Sequence, residues 1–209
     1  MITTTTEKDF SLLVVDMWWE EEIKARERGF NIYFNDIYEK YERRELSNYP
    51  SLQYLYGSLH AGLEAIHDIV RAAHLLEKKI YGVVSDDDYS TPNELLDKNL
   101  HPYIQANNLF MKNSYSAFIS KDLTKRLEED TIHRLMIVGF DRDYCVLETI
   151  KSAVDCGIEV ITSEVLMLTC GKTDGNVARD YCRKNTTYLE SLIDVYNYLD
   201  PLGKLAPNP

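Results

Sequence analysis

Short apolar runs alternate with amphipathic stretches along this chain. Residues 11–16 (Ser-Leu-Leu-Val-Val-Asp), 80–85, 135–138 and 158–162 are compact and rich in Val, Ile and Leu, and 109–112 (Leu-Phe-Met-Lys) and 186–189 (Thr-Thr-Tyr-Leu) are shorter or more mixed runs of the same kind. Runs of that length fit strands, and the continuously apolar ones fit strands buried on both faces of a sheet. Between them, apolar residues recur at helical spacing. Leu59, Leu63, Ile66, Ile69, Val70, Ala73 and Leu76 predict a helix over 58–78. Further helices are predicted over 122–129, from near Cys145 to a stop at Gly157, and over 174–184 and 192–199. This alternation predicts an α/β domain, a three-layer Rossmann-like arrangement. Its sheet has six mostly parallel strands in the order 3-2-1-4-5-6, with helices on both faces.

Three stretches depart from the pattern. Residues 18–53 are dense in Glu, Arg and Tyr around Gly29 and read as an insert of one or two helices, a lid or a subunit contact. Residues 86–103 read as an irregular acidic loop, and 201–209 as a loose tail. With no repeat and no Pro/Gly-rich linker, residues 1–209 are expected to form a single domain.

Composition narrows the partners. A net charge of −11 leaves no surplus of Lys and Arg to neutralise phosphates, which disfavours nucleic acid. No apolar run approaches the roughly 20 residues of a membrane span. The first nine residues lack the basic-then-apolar order of an export signal, so the expected compartment is the cytoplasm. The four cysteines form no CxxC pair and are expected as free thiols, with Cys156, Cys170 and Cys182 read as packing residues. His60, His67 and His74 recur every seven residues, too widely for one metal, and read as a surface stripe. No GxGxxG follows the first strand, which disfavours a dinucleotide.

The candidate chemistry sits at strand ends. In a parallel sheet, function lies beyond the carboxyl ends of the strands, above all where the strand order reverses. Asp16 follows the first strand, Lys112 the third and Cys145 the fourth. The run Leu135-Met-Ile-Val-Gly-Phe-Asp-Arg-Asp-Tyr-Cys-Val146 is a strand, a turn at Gly139 and a helix start. A thiol at a helix start meets unpaired N–H groups and a dipole that favours thiolate. A carboxylate can take the thiol proton and return it to a leaving group, an ammonium can hold the carboxylate charged, and turn N–H groups can stabilise an oxyanion. Trp18, Trp19, Tyr115, Phe118 and Tyr144 read either as cleft lining or as core.

Three segments carry a resemblance: Leu12-Leu-Val-Val-Asp-Met17, Lys112-Asn-Ser-Tyr-Ser-Ala-Phe118, and Val138-Gly-Phe-Asp-Arg-Asp-Tyr-Cys-Val146 with its continuation to Gly157. Through them the chain resembles the isochorismatase-like cysteine hydrolase superfamily, which includes nicotinamidases and N-carbamoylsarcosine amidases. The resemblance implies a Cys145/Asp16/Lys112 triad, with Cys145 attacking a carbonyl carbon and Asp16 as base and then acid. It also implies a cis peptide at Phe140–Asp141, oxyanion donors in the backbone N–H groups of Asp141 and Cys145, and association into a homo-oligomer. Where nicotinamidases hold a metal this chain reads Ser85-Asp-Asp-Asp-Tyr89, with no His before His101, so neither metal nor cofactor is expected. Arg142 is expected either in an ion pair with Asp141 or as a clamp on a substrate carboxylate.

The resulting expectation is a metal-independent hydrolase of an amide-type C–N bond in a small molecule. One alternative is isochorismate-type vinyl-ether hydrolysis, in which Asp16 is the acid and the thiol dispensable. Another is a non-catalytic binding or assembly protein that uses the 18–53 insert as its surface.

Overall fold

The computed structural model describes residues 9–17, 50–86, 91–169 and 176–200. Trp18, Trp19, Cys170, most of the 18–53 insert and the 201–209 tail lie outside the described residues.

The strands are β1 (Ser11–Val15), β2 (Ile80–Ser85), β3 (Leu109–Lys112), β4 (Arg134–Phe140), β5 (Glu159–Ser163), β6 (Met167–Leu168) and β7 (Thr187–Leu189). The helices are α1 (Pro50–Leu75), α2 (Pro92–Leu95), α3 (Lys121–Glu129), α4 (Leu147–Asp155), α5 (Asn176–Asn185) and α6 (Leu192–Leu199). The strands pair in parallel in the order β3-β2-β1-β4-β5-β7. This is the expected order, with the sixth expected strand appearing as β7. The two-residue β6, which pairs with the end of β4, is an addition.

Side chains alternate between the two faces of each strand, as the pleat requires. Leu12, Val14, Met136 and Val138 pack under α1 and α6 with Ile66, Ile69, Val70, Val195 and Leu199. Leu13, Val15, Leu135 and Ile137 pack on the other face, against Leu123 and Leu127 of α3, Ile150 and Ala153 of α4, and Cys182 of α5. The sheet is therefore sandwiched between helices, which is why its strands are apolar without a polar face.

β1 sits between β2 and β4, with neighbours leading away in opposite directions. The switch point thus falls between β1 and β4, and the register Val15↔Gly139 sets their ends level. Gly139 has φ +134°, and a Cβ there would run into the Val15 carbonyl. Only glycine permits that approach.

Three sequence expectations are corrected. The 86–103 loop, where described, contains α2 and buries Leu95, Leu96 and Leu100 against the α1 face of the sheet. Cys156, expected to pack, is exposed at the end of α4. Of the proposed histidine stripe, His74 is exposed, but His67 is half-buried and bonded at 2.8 Å to the buried Asp97.

Candidate active site

Four consecutive neighbours in the sheet each present a polar side chain beyond their carboxyl ends. Asp16 directly follows β1 and is held at φ +50°, a left-handed conformation that Asp tolerates better than most residues. Its N–H donates to Val83 of β2. Ser85 and Lys112, the last residues of β2 and β3, are register partners. Cys145 follows β4 in a π-helical turn, Arg142–Val146, that leads into α4.

These side chains meet. Lys112 Nζ lies 2.7 Å from Asp16 Oδ2, with side-chain exposures of 0% and 2%. The same nitrogen donates to Ser85 Oγ and to the Ser114 carbonyl, each at 2.9 Å, and to Cys145 Sγ at 3.4 Å. Ser85 Oγ donates in turn to Asp16 Oδ1 at 2.9 Å. Ser85 was not singled out from the sequence. Its signal was positional, a hydroxyl ending the strand that separates those of Asp16 and Lys112.

The ionisation of Cys145 departs from the expected thiolate. Burial pushes its thiol up to about 12, the Asp16 charge adds to the rise, and the Lys112 ammonium opposes it. Cys145 occupies the π turn and not the α-helix start, so the dipole argument is outweighed by desolvation and a neighbouring anion.

The peptide Phe140–Asp141 is cis. Within the turn the Tyr144 and Val146 N–H groups both donate to the Asp141 carbonyl, at 3.1 and 3.0 Å. Neither bond uses the N–H of Asp141 or Cys145, the two expected oxyanion donors. Thr149 of α4, wholly buried, donates to the Cys145 carbonyl at 2.6 Å and accepts from Ala117 N–H at 2.9 Å. It therefore ties the thiol's turn to the loop after Lys112. Ser116 adds a bond to Ser152 of α4 at 2.8 Å. Thr149, too, was missed in the sequence, where it read as one polar residue in an amphipathic helix.

The remaining candidates divide. Tyr115 and Tyr144 are exposed, with ring centroids 5.8 Å apart, one on the loop after Lys112 and the other next to Cys145. Phe118 is partly buried against the same core layer as Cys145. Arg142 is buried, and its ion pairs run to Asp143 at 3.0 Å and Glu164 at 3.6 Å, not to Asp141. Glu164 also binds Arg179 through both oxygens and accepts from Tyr188, contacts that hold its carboxyl below the usual range. Among the described residues no cluster of three His, Cys, Asp or Glu side chains could hold a metal, and no helix is long and apolar enough to cross a membrane.

Comparison with known proteins bears on this geometry. A family model described as the Isochorismatase domain matches residues 61–174, more than half of the chain and inclusive of Lys112 and Cys145. No curated protein matches. Among solved structures, N-carbamoylsarcosine amidase from Thermoplasma acidophilum is similar at 16% identity and TM-score 0.60, over 87% of this chain and 96% of that one. YcaC from Pseudomonas aeruginosa is similar at 16% identity and TM-score 0.65, over 98% of this chain and 86% of that one. MAR1 ribonuclease from Caenorhabditis elegans is similar at 14% identity and TM-score 0.61, over 95% and 84%. At such identities the likeness is one of fold.

Proposed function

The chain belongs to the isochorismatase family, a family of hydrolases, and we propose that it cleaves an amide-type C–N bond of a small molecule with Cys145, Asp16 and Lys112. The observation that carries this reading is one buried ammonium touching both a carboxylate and a thiol, at 2.7 and 3.4 Å.

In this mechanism Cys145 Sγ attacks the carbonyl carbon as its proton passes to Asp16. A thiol pushed up to about 12 holds its proton at rest, so transfer accompanies attack and does not precede it. The carbonyl oxygen becomes an oxyanion facing the N–H groups of Asp141 and Cys145. The intermediate collapses as the leaving nitrogen takes the proton from Asp16, and the acyl group remains as a thioester. Asp16, ionised again, removes a proton from water, whose oxygen attacks the thioester carbon. The acid leaves, and the proton returns to sulfur. Lys112 stays charged throughout and holds the Asp16 carboxylate in place.

Tyr115 and Tyr144, exposed on the segments that carry Lys112 and Cys145, contact the substrate, while Arg142 acts through Asp143 and Glu164 to hold the turn. The likeness to a ribonuclease does not extend this reading to RNA, because a chain of net charge −11 repels a phosphate backbone. No cofactor or metal enters the reaction. A panel of small amides, ureides and vinyl ethers tests the proposal with Cys145→Ala and Asp16→Ala proteins. Amide hydrolysis that both substitutions abolish supports it. Hydrolysis confined to vinyl ethers and lost only in Asp16→Ala supports the acid mechanism instead.

A further inference from the structure

We propose that Glu164 is a positioning residue that sets the strength of oxyanion stabilisation at Cys145 by anchoring the Cys145 turn through Arg142, an inference that rests on the cysteine-hydrolase reading above. The turn needs an outside anchor because its own ion pair cannot supply one. Arg142 and Asp143 are buried, with side-chain exposures of 10% and 9%, and they pair at 3.0 Å. They are neighbours within the same turn, Arg142–Val146, so their pair moves with the turn and fixes it to nothing. Glu164 lies on another segment, directly after β5, with Oε1 3.6 Å from Arg142 Nη1. Both of its oxygens are themselves held. Arg179 of α5 donates to each of them, and Tyr188 of β7 donates to Oε2 at 3.0 Å. The turn is thus tied through Arg142 and Glu164 to α5 and β7.

The stretch that begins at Glu164 grips the turn at two further points. Met167 and Leu168 of β6 pair with Gly139 and Phe140 at the end of β4. Thr169 donates to Asp143 Oδ2 at 3.3 Å. These contacts bracket Asp141, whose N–H is one of the expected oxyanion donors. Glu164 differs from them in meeting a buried charge. A guanidinium that loses a carboxylate partner keeps its desolvation cost and swings toward another acceptor. Arg142 cannot swing without dragging the peptide planes of its turn, and a misplacement of about 1 Å is enough to weaken a preorganised site severely.

Acetaldehyde tests this without knowledge of the substrate. The Cys145 sulfur bonds to its carbonyl carbon, the C=O double bond opens, and the thiol proton passes to oxygen. The product is a hemithioacetal whose oxygen faces the oxyanion donors. Its affinity is read from how far acetaldehyde slows alkylation of Cys145 by iodoacetamide, followed by peptide mass spectrometry, with the exposed Cys156 as reference thiol. Displacement of iodide puts no charge on a carbonyl oxygen, so the alkylation rate without aldehyde reports the thiol alone. In the wild type, acetaldehyde protects Cys145 at concentrations about tenfold lower than it protects Cys156.

Glu164→Gln keeps the shape but turns an amide NH₂ toward neighbours that are all donors. It is expected to weaken the Cys145 hemithioacetal about tenfold, less than the loss of a whole donor, and to leave the iodoacetamide rate within about twofold. In an Arg142→Met background the same substitution adds less than about twofold, because the path to the turn is gone. If Glu164→Gln unfolds the chain, revealed by alkylation of the buried Cys182, Glu164→Asp takes its place. That variant keeps the charge but is too short to reach both arginines, and it weakens the adduct about threefold. Unchanged acetaldehyde affinity in the folded variant overturns the role of Glu164. So does a loss shared equally by the iodoacetamide rate, which marks a merely structural role, or a full loss that persists without Arg142. Wild-type Cys145 protected no better than Cys156 overturns the reading beneath it.

Discussion

Lys112 Nζ and Asp16 Oδ2 lie 2.7 Å apart with their side chains shut away from solvent. Such a pair adds little net stability, because its attraction is offset by desolvation, but removing one partner strands the other charge. Lys112→Ala is therefore expected to cost about 3–5 kcal/mol in denaturant unfolding. The Asp16→Asn/Lys112→Met double variant recovers most of that loss while remaining inactive. A double variant as unstable as Lys112→Ala would show that the pair is held for packing and not for charge.

Gly139→Ala tests the close approach of β1 and β4. Its Cβ meets the Val15 backbone, and φ +134° is itself unfavourable for alanine. The combined cost is about 3 kcal/mol or more. At roughly 2–4 °C per kcal/mol for a chain of this size, the melting temperature falls by about 10 °C. A shift below about 2 °C would mean that the strands separate freely there.

Much of this arrangement was legible beforehand, for identifiable reasons. Strands buried on both faces must be continuously apolar, so β1, β2 and β4 stood out, with Asp16 directly after the first of them, Lys112 at the end of the shorter β3 and Cys145 beyond the turn after β4. What escaped depended on distances that no local pattern encodes. The thiol's protonation is set by burial and by Asp16, which follows a distant strand of the chain. The partner of Arg142 is Glu164 on another segment, alongside its neighbour Asp143. The burial of Leu95, Leu96 and Leu100 was masked by the acidic residues around them. Ser85 looked like an ordinary strand end because its significance lies in which strands flank it.

Thr149 joins the two halves of the site. Thr149→Val preserves shape but leaves the Ala117 N–H and the Cys145 carbonyl without this partner, at an expected cost of about 1–3 kcal/mol. Because the turn and the Lys112 loop then move independently, kcat falls more than KM rises. Thr149→Ser, which keeps the hydroxyl, retains most of kcat. Steady-state kinetics of the two variants check this, and equal behaviour would contradict it.

The His67–Asp97 pair gives a pH signature. Burial raises the Asp97 carboxyl, but the bonds from His67 and from the Asn99 N–H outweigh it and leave it below the ordinary value. A depressed folded-state value stabilises above the unfolded-state value of about 3.9, and that contribution is lost as pH falls from there through the folded-state value. His67→Ala removes the principal opposing bond. The variant should be less stable at pH 7 by about 1–3 kcal/mol and should lose less on further acidification below pH ~4. Urea midpoints between pH 2.5 and 7 measure this, and parallel curves for the two proteins would contradict it.

In this mechanism Cys145 becomes covalently acylated. Rapid quenching of the enzyme with a hydrolysed small amide, followed by peptide mass mapping, reads it directly. The expected result is an acyl adduct on Cys145 that appears before product, with no adduct and no turnover in Cys145→Ala. Full turnover by Cys145→Ala would rule out a covalent route through the thiol.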